Sequence, residues 1–164
     1  MAATTEARRV LIAGCGYVGV RLGEELTARG DEVFALRRRP QGLSAPLHPI
    51  AADLADRRAL TFLPPALDVI VYAASADESS EAAYRRAYVE GLRNLIGASS
   101  APPRRFLFTS STGVYGQLEG EWVDETSPAE PRDSTGRILL EAETLVHAAP
   151  FPSTVVRFGG IYGP

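Results

Sequence analysis

The chain has no lysine: all seventeen of its basic residues are arginine. Any mechanism that needs a lysine amine is therefore excluded within these 164 residues. A single cysteine, Cys15, rules out an internal disulfide framework and a cysteine-built zinc site. Two histidines, His48 and His147, lie too far apart in sequence to argue for a metal centre. No apolar run approaches the ~18 residues that a membrane span needs. Met1 to Arg9 is polar and only Val10–Ala13 is apolar before the first glycine, so no signal-peptide core is expected, and the expected compartment is the cytoplasm. Positive charge is also in deficit. A net charge of −3 and a pI near 5.4 argue against a nucleic-acid or anionic-membrane partner.

What remains is ordinary for one folded domain, with 45% hydrophobic and 23% charged residues. Short apolar runs recur at Val10–Ala13, Val33–Leu36, His48–Ala51, Asp68–Ala74, Phe106–Ser110 and Thr154–Phe158. Several lack polar alternation, as in Val69-Ile70-Val71-Tyr72, which fits parallel strands covered on both faces. Helical stretches separate them. Tyr17–Arg29 carries Val18, Leu22 and Leu26 four apart, with Gly30 placed to end it. Glu81–Ser99 carries Tyr84, Ala87, Tyr88, Gly91, Leu92, Leu95 and Ile96 on one broad face, and Arg137–Ala149 is a third helix. This alternation predicts a doubly wound α/β sheet of the Rossmann type, strand order 3-2-1-4-5-6. The polar, proline-bearing stretch Gln117–Asp133 is too long for a simple connection, so substrate contacts are expected there first.

Gly14-Cys15-Gly16-Tyr17-Val18-Gly19 follows the first strand and opens the first helix. In that context Gly14 makes the tight turn, Gly16 lets a pyrophosphate approach the backbone, and Gly19 packs helix on strand. The amides of Tyr17 and Val18 lie at the positive end of the helix, where they would hold phosphates. The end of the second strand bears on the cofactor. NAD sites usually have Asp or Glu there, but Val33–Leu36 runs into Arg37-Arg38-Arg39, while Asp31 and Glu32 precede the strand. Arginine suits a 2′-phosphate, so the sequence favours NADP over NAD, with Arg37 and Arg38 as its ligands; a solvated arginine loop is the bland alternative. Asp53 fits either a hydrogen bond to the adenine amino group or an N-cap for a helix over Leu54–Phe62. Ala73-Ala74-Ser75 is small enough to pass close to a bound dinucleotide.

Together with the glycine loop, Phe106-Leu107-Phe108-Thr109-Ser110-Ser111-Thr112-Gly113-Val114-Tyr115-Gly116 and Arg157-Phe158-Gly159-Gly160-Ile161-Tyr162-Gly163-Pro164 carry a resemblance. The chain resembles the NAD-dependent epimerase/dehydratase family of extended short-chain dehydrogenases, from about Arg8 to Pro164. Its GxGxxG form points toward the atypical members. The resemblance implies an oxidoreductase that moves a hydride to or from a carbonyl or alcohol carbon, commonly of a nucleotide sugar. It implies Ser111 as the hydroxyl that binds the substrate oxygen. It also implies a Tyr-x-x-x-Lys on the next helix, and here this sequence departs. Thr135 stands at the tyrosine and Leu139 at the lysine, while the family's asparagine falls on Tyr88. Thr135 has no phenol and Leu139 no charge, so the proton donor is unassigned; Tyr115, Tyr162 and Glu125 are substitute acids to weigh, and Arg137 a source of fixed charge.

The same resemblance implies that residues 1–164 are the dinucleotide-binding domain, and leads us to expect that Pro164 is a truncation point and that the family's C-terminal substrate lobe is absent from these residues. A homodimer through the helices Glu81–Ser99 and Arg137–Ala149 is expected. Loss of the tyrosine and lysine beside an intact glycine loop also fits a different class, a non-catalytic NADP(H)-binding redox sensor or regulatory protein that acts through a partner. Cys15 reads as small filler beside the phosphates, and His147 as a last-turn partner for free helix carbonyls. Trp122 fits either a stacking platform for a substrate ring or a cover for the sheet edge.

Overall fold

The computed structural model describes residues 6–43, 46–117 and 119–163. Six parallel strands form one sheet in the order β3-β2-β1-β4-β5-β6. They are β1 (Arg9–Ala13), β2 (Glu32–Arg37), β3 (His48–Ala51), β4 (Val69–Tyr72), β5 (Arg105–Ser111) and β6 (Ser153–Phe158). The expected topology is met, with β4 shorter at both ends than its apolar run. Pro164, the expected truncation point, lies outside the described residues.

Side-chain alternation along β1 divides the core. Val10 and Ile12 join Val33, Ala35 and Val71 on one face, beneath Val20, Leu22 and Leu26 of α1 (Tyr17–Ala28). Leu11 and Ala13 join Leu36, Ile70, Tyr72, Phe106 and Phe108 on the other. That face is covered by a long helix, Glu81 to Ala98, and by α4 (Ser134–His147), through Leu92, Leu95, Leu139, Ala142 and Val146. Both faces are covered, which is why the strands read as near-continuous apolar runs. Each fully buried Leu, Ile or Phe here contributes about 1.5–3 kcal/mol.

The helix from Glu81 is not uniform. It begins as α2 (Glu81–Tyr84), widens to a π-helical turn at Arg85–Glu90, and continues as α3 (Gly91–Ala98). The physical cause is Tyr72 of β4. Its buried hydroxyl donates to the Ala87 carbonyl, and a side chain on Gly91 would collide with that hydroxyl. A side-chain group inserted into the ladder opens the turn. The helix expected over Leu54–Phe62 is only a 3-10 turn, Arg57–Leu60, and its cap is Asp56, not Asp53. The third helix begins three residues earlier than expected because Asp133 accepts from the Gly136 amide at 2.6 Å. Among the described residues, no helix is long and apolar enough to cross a membrane.

Candidate functional site

A cleft of about 620 Å³ opens at the carboxyl ends of the strands. Ligands bind at this edge of doubly wound sheets. Its floor is the glycine loop after β1. Gly14 takes φ +86°, and a Cβ there would fall on the Ala74 backbone, so turn and close approach both demand glycine. Its amide and that of Cys15 both donate to the Leu36 carbonyl at 2.9 Å, tying the loop to β2. A Cβ on Gly19 would lie 2.9 Å from Ile12 Cγ2, so helix and strand touch there. Gly16 differs. A Cβ on it would meet nothing nearer than the Gly14 carbonyl at 4.0 Å, so open space lies over the N-terminus of α1. The first amides of a helix have no intrahelical acceptor, and they carry its positive end. This cradle fits a pyrophosphate.

The cleft wall collects most of the residues singled out from sequence: Gly14, Gly16, Tyr17, Val18, Arg37, Arg38, Asp53, Leu54, Ala73, Ala74, Ser75 and Ser111. Gly19 is buried behind the loop. Thr135 does not line the cleft. It sits in the first turn of α4 with its hydroxyl donating to Asp133 Oδ1 at 2.9 Å, so the expected catalytic threonine is engaged in capping its own helix. Leu139, one turn on, does reach the cleft, as an apolar wall where the resemblance calls for a cation. Ser111 ends β5, and its Oγ accepts from the Gly113 amide at 3.1 Å, which caps the short turn Thr112–Val114.

Other expected residues lie elsewhere. Among the described residues, none of Gln117–Asp133 lines the cleft, and Trp122 is 98% exposed, so it does not cover the sheet edge. The Tyr115 hydroxyl donates to the Asp124 carbonyl at 2.7 Å and accepts from Arg157 Nη1 at 2.9 Å. Tyr162 is exposed, and Glu125 and Arg137 stand away from the cleft. Burial pushes the Cys15 thiol up, opposed by Arg37 nearby, which fits an inert filler. Among the described residues no group of three potential ligands could hold a metal.

Sequence reasoning passed over two acids and bases of the cleft mouth. Arg86 projects from the π turn and pairs with Asp53 at 2.7 Å. Asp77, in the loop after β4, takes both terminal nitrogens of Arg38 at 2.7 and 2.6 Å. Burial works against the Asp53 carboxylate, but the Ala55 amide and Arg86 outweigh it and hold the carboxyl below the usual range. Asp77 is held below that range by its hydrogen bonds from Arg38. Neither pairing has a local sequence signal, because each joins residues more than thirty positions apart.

Behind Ser111 lies a buried polar network. The Ser110 hydroxyl donates to Glu143 Oε1 at 2.6 Å. Arg157 grips the same carboxylate through Nε at 3.0 Å and Nη2 at 2.7 Å, with its guanidinium 4.9 Å from the Tyr115 ring. It joins β5, α4 and β6 beneath the cleft.

A parallel sheet in this strand order, with a glycine loop opening α1 and a cleft above it, defines a Rossmann-type dinucleotide fold. The chain belongs to the NAD dependent epimerase/dehydratase family, whose family model matches residues 10–164. Among solved structures, a Methylobacillus flagellatus protein assigned to the NAD-dependent epimerases/dehydratases is 41% identical, with a TM-score of 0.80. The match covers 97% of this chain and 56% of that one. A short-chain dehydrogenase/reductase superfamily protein from Agrobacterium tumefaciens, solved with bound NAD, is 27% identical, with a TM-score of 0.79 over 92% of this chain and 48% of that one. MoeE5, solved with UDP-glucose and NAD, is also 27% identical, with a TM-score of 0.79 over 95% of this chain and 56% of that one. The chain spans 54–60% of the length of the curated relatives it matches.

The Agrobacterium protein and MoeE5 hold NAD, which overturns the expectation of NADP. The arginines explain why their number misled. Arg37 spends its terminal nitrogens on the carbonyls of Cys15 and Gln41, and its Nε is buried without a partner. Arg38 is taken by Asp77. Neither offers an unoccupied fork to a 2′-phosphate.

Proposed function

We propose that this chain is the NAD-binding part of an oxidoreductase that transfers a hydride between NAD and a carbonyl or alcohol carbon, with nucleotide sugars as the substrate class. The observation that carries the reading is the open space over Gly16 at the N-terminus of α1, within a cleft of dinucleotide size. NAD in the Agrobacterium protein and UDP-glucose beside NAD in MoeE5 support the cofactor and the substrate class respectively.

In this reading the turn at Gly14 and Gly16 and the amides of Tyr17 and Val18 hold the pyrophosphate. Asp53 and Leu54 border the adenine, and the small residues Ala73, Ala74 and Ser75 let the backbone of β4 run beside the dinucleotide. Arg37 supports the glycine loop through the Cys15 carbonyl, and Arg38 borders the ribose. NAD, when bound, supplies or accepts the hydride. Ser111 donates a hydrogen bond to the substrate oxygen and so favours charge developing there. Thr135 has no part, since its hydroxyl is committed to Asp133.

A second reading, a protein that binds NAD and reports its redox state without turnover, draws on the apolar Leu139 in the cleft wall. The two separate in one experiment. Calorimetric titration with NADH is followed by mixing the NADH complex with nucleotide sugars that carry a keto group, reading loss of NADH absorbance. Stoichiometric oxidation that falls at least about tenfold in Ser111→Ala supports the enzyme. Tight binding with no oxidation supports the sensor, and no binding of NADH refutes both.

A further inference from the structure

We propose that Asp77 sets the preference for NAD by occupying the Arg38 guanidinium that a 2′-phosphate would otherwise take. The inference rests on the reading of the cleft as an NAD site and adds its selectivity device.

Four charged residues line one end of the cleft: Arg38 after β2, Asp53 after β3, Asp77 after β4 and Arg86 on the π turn. They form two pairs, Arg38 with Asp77 and Arg86 with Asp53. Within the two pairs each positive charge meets a negative one, while Arg37 lines the cleft beside them and Arg39 also acts on Asp77. The Arg38–Asp77 contact is bidentate, one carboxylate oxygen to each terminal nitrogen, which is the geometry a guanidinium would offer a phosphate. Asp77 thereby acts twice against an added phosphate. It fills the fork, and its own negative charge stands where the dianion would sit. A ribose hydroxyl suffers neither penalty, because it is uncharged and needs no fork.

Arg37 does not compensate, since both its terminal nitrogens serve backbone carbonyls. Arg38 and Asp77 are each more than half exposed, so the pair itself is weak and dispensable to the fold. That separation makes selectivity testable without loss of structure. Removing a unit charge about 4 Å from a dianion changes its affinity by about tenfold or more, even with water-like screening.

The test is calorimetry with NADH and NADPH on the wild-type chain and on Asp77→Asn, Asp77→Ala and the double variant Asp77→Asn/Arg38→Ala, at low and high salt. The ratio of NADPH to NADH affinity should rise about tenfold in both Asp77 variants. The gain should disappear in the double variant and shrink as salt is added. A wild-type chain that binds NADH, with a ratio unchanged in both Asp77 variants, overturns the role of Asp77 and leaves the NAD site standing. A gain that persists without Arg38 also overturns it. A wild-type chain that binds neither nucleotide, or prefers NADPH, refutes the NAD reading itself and the inference with it.

Discussion

Removing the Glu143 carboxylate should cost about 3 kcal/mol of stability. Glu143 is 3% exposed and accepts three hydrogen bonds, one from Ser110 and two from Arg157. In Glu143→Ala the guanidinium cannot shed its proton, so an uncompensated charge stays part-buried. Breaking a buried pair costs about 3–5 kcal/mol. The 22% exposure of the Arg157 side chain and its remaining contact with Tyr115 bring the pair to about 2 kcal/mol, at or below the low end of that range. The Ser110 hydroxyl, left without its acceptor, adds about 1 kcal/mol. For a chain of this length, about 3 kcal/mol lowers the melting temperature by roughly 6–12 °C. The assay is thermal and urea unfolding by circular dichroism, on Glu143→Ala, Arg157→Met and the pair Glu143→Leu/Arg157→Met. The apolar double variant should recover most of the loss, because two desolvated charges are then no longer needed. A loss below about 1 kcal/mol in Glu143→Ala would refute this account of the network.

Glycine substitutions should separate folding from binding. Gly14→Ala forces a positive φ and a clash with Ala74, so it should destabilise by about 2–4 kcal/mol, whereas Gly16→Ala should cost about 1 kcal/mol or less yet weaken NADH binding at least about tenfold. Unchanged NADH affinity in Gly16→Ala would show that the space over this residue is not the phosphate site. Hydrogen bonds from Arg8 hold the Asp31 carboxyl below the usual range, so its folded pKa is depressed. Its contribution is therefore present above about pH 4 and lost as pH falls through the folded value. Asp31→Asn should be less stable than wild type at pH 7, with the gap in urea midpoint narrowing as pH falls below about 4; a constant gap would show that Asp31 does not contribute through its charge.

How far the sequence could be read follows from the range of each interaction. The β1 loop is local, and six residues in strand-to-helix context specify Gly14, Gly16 and Gly19 together. Strand order follows from apolar runs separated by helices, with right-handed crossovers. The failure over the cofactor is at long range. Arg37-Arg38-Arg39 reads as a phosphate clamp because nothing nearby in sequence reveals Asp77, thirty-nine residues downstream of Arg38. Val89 is buried three residues before Leu92, on the same helix face, although it is not among the stripe residues expected for Glu81–Ser99. The loop Gln117–Asp133, where substrate contacts are expected, is tied to Tyr115 through the Asp124 carbonyl, a bond that composition does not reveal. Asp53 and Asp56 are three residues apart, and only the chain path decides which one caps the turn at Arg57–Leu60.

The widened turn at Arg85–Glu90 amounts to one residue more than a regular helix would hold over the same length. The extra residue is taken up by a smaller rotation per residue than the roughly 100° of an α-helix, so deleting one there would restore a regular ladder with the stretches on either side kept near their present faces. With α3 fixed to the sheet by Leu92 and Leu95, what would go is the bulge itself, which carries Arg86 against Asp53 and gives the Tyr72 hydroxyl its acceptor. Helical content would be preserved or improved, and the cleft would lose one wall. Chain length at this point, independent of residue identity, is thus a variable that shapes the adenine end of the cleft. Among proteins of this fold, a single-residue gap opposite the π turn, accompanied by Phe at the position of Tyr72, would mark a differently built wall.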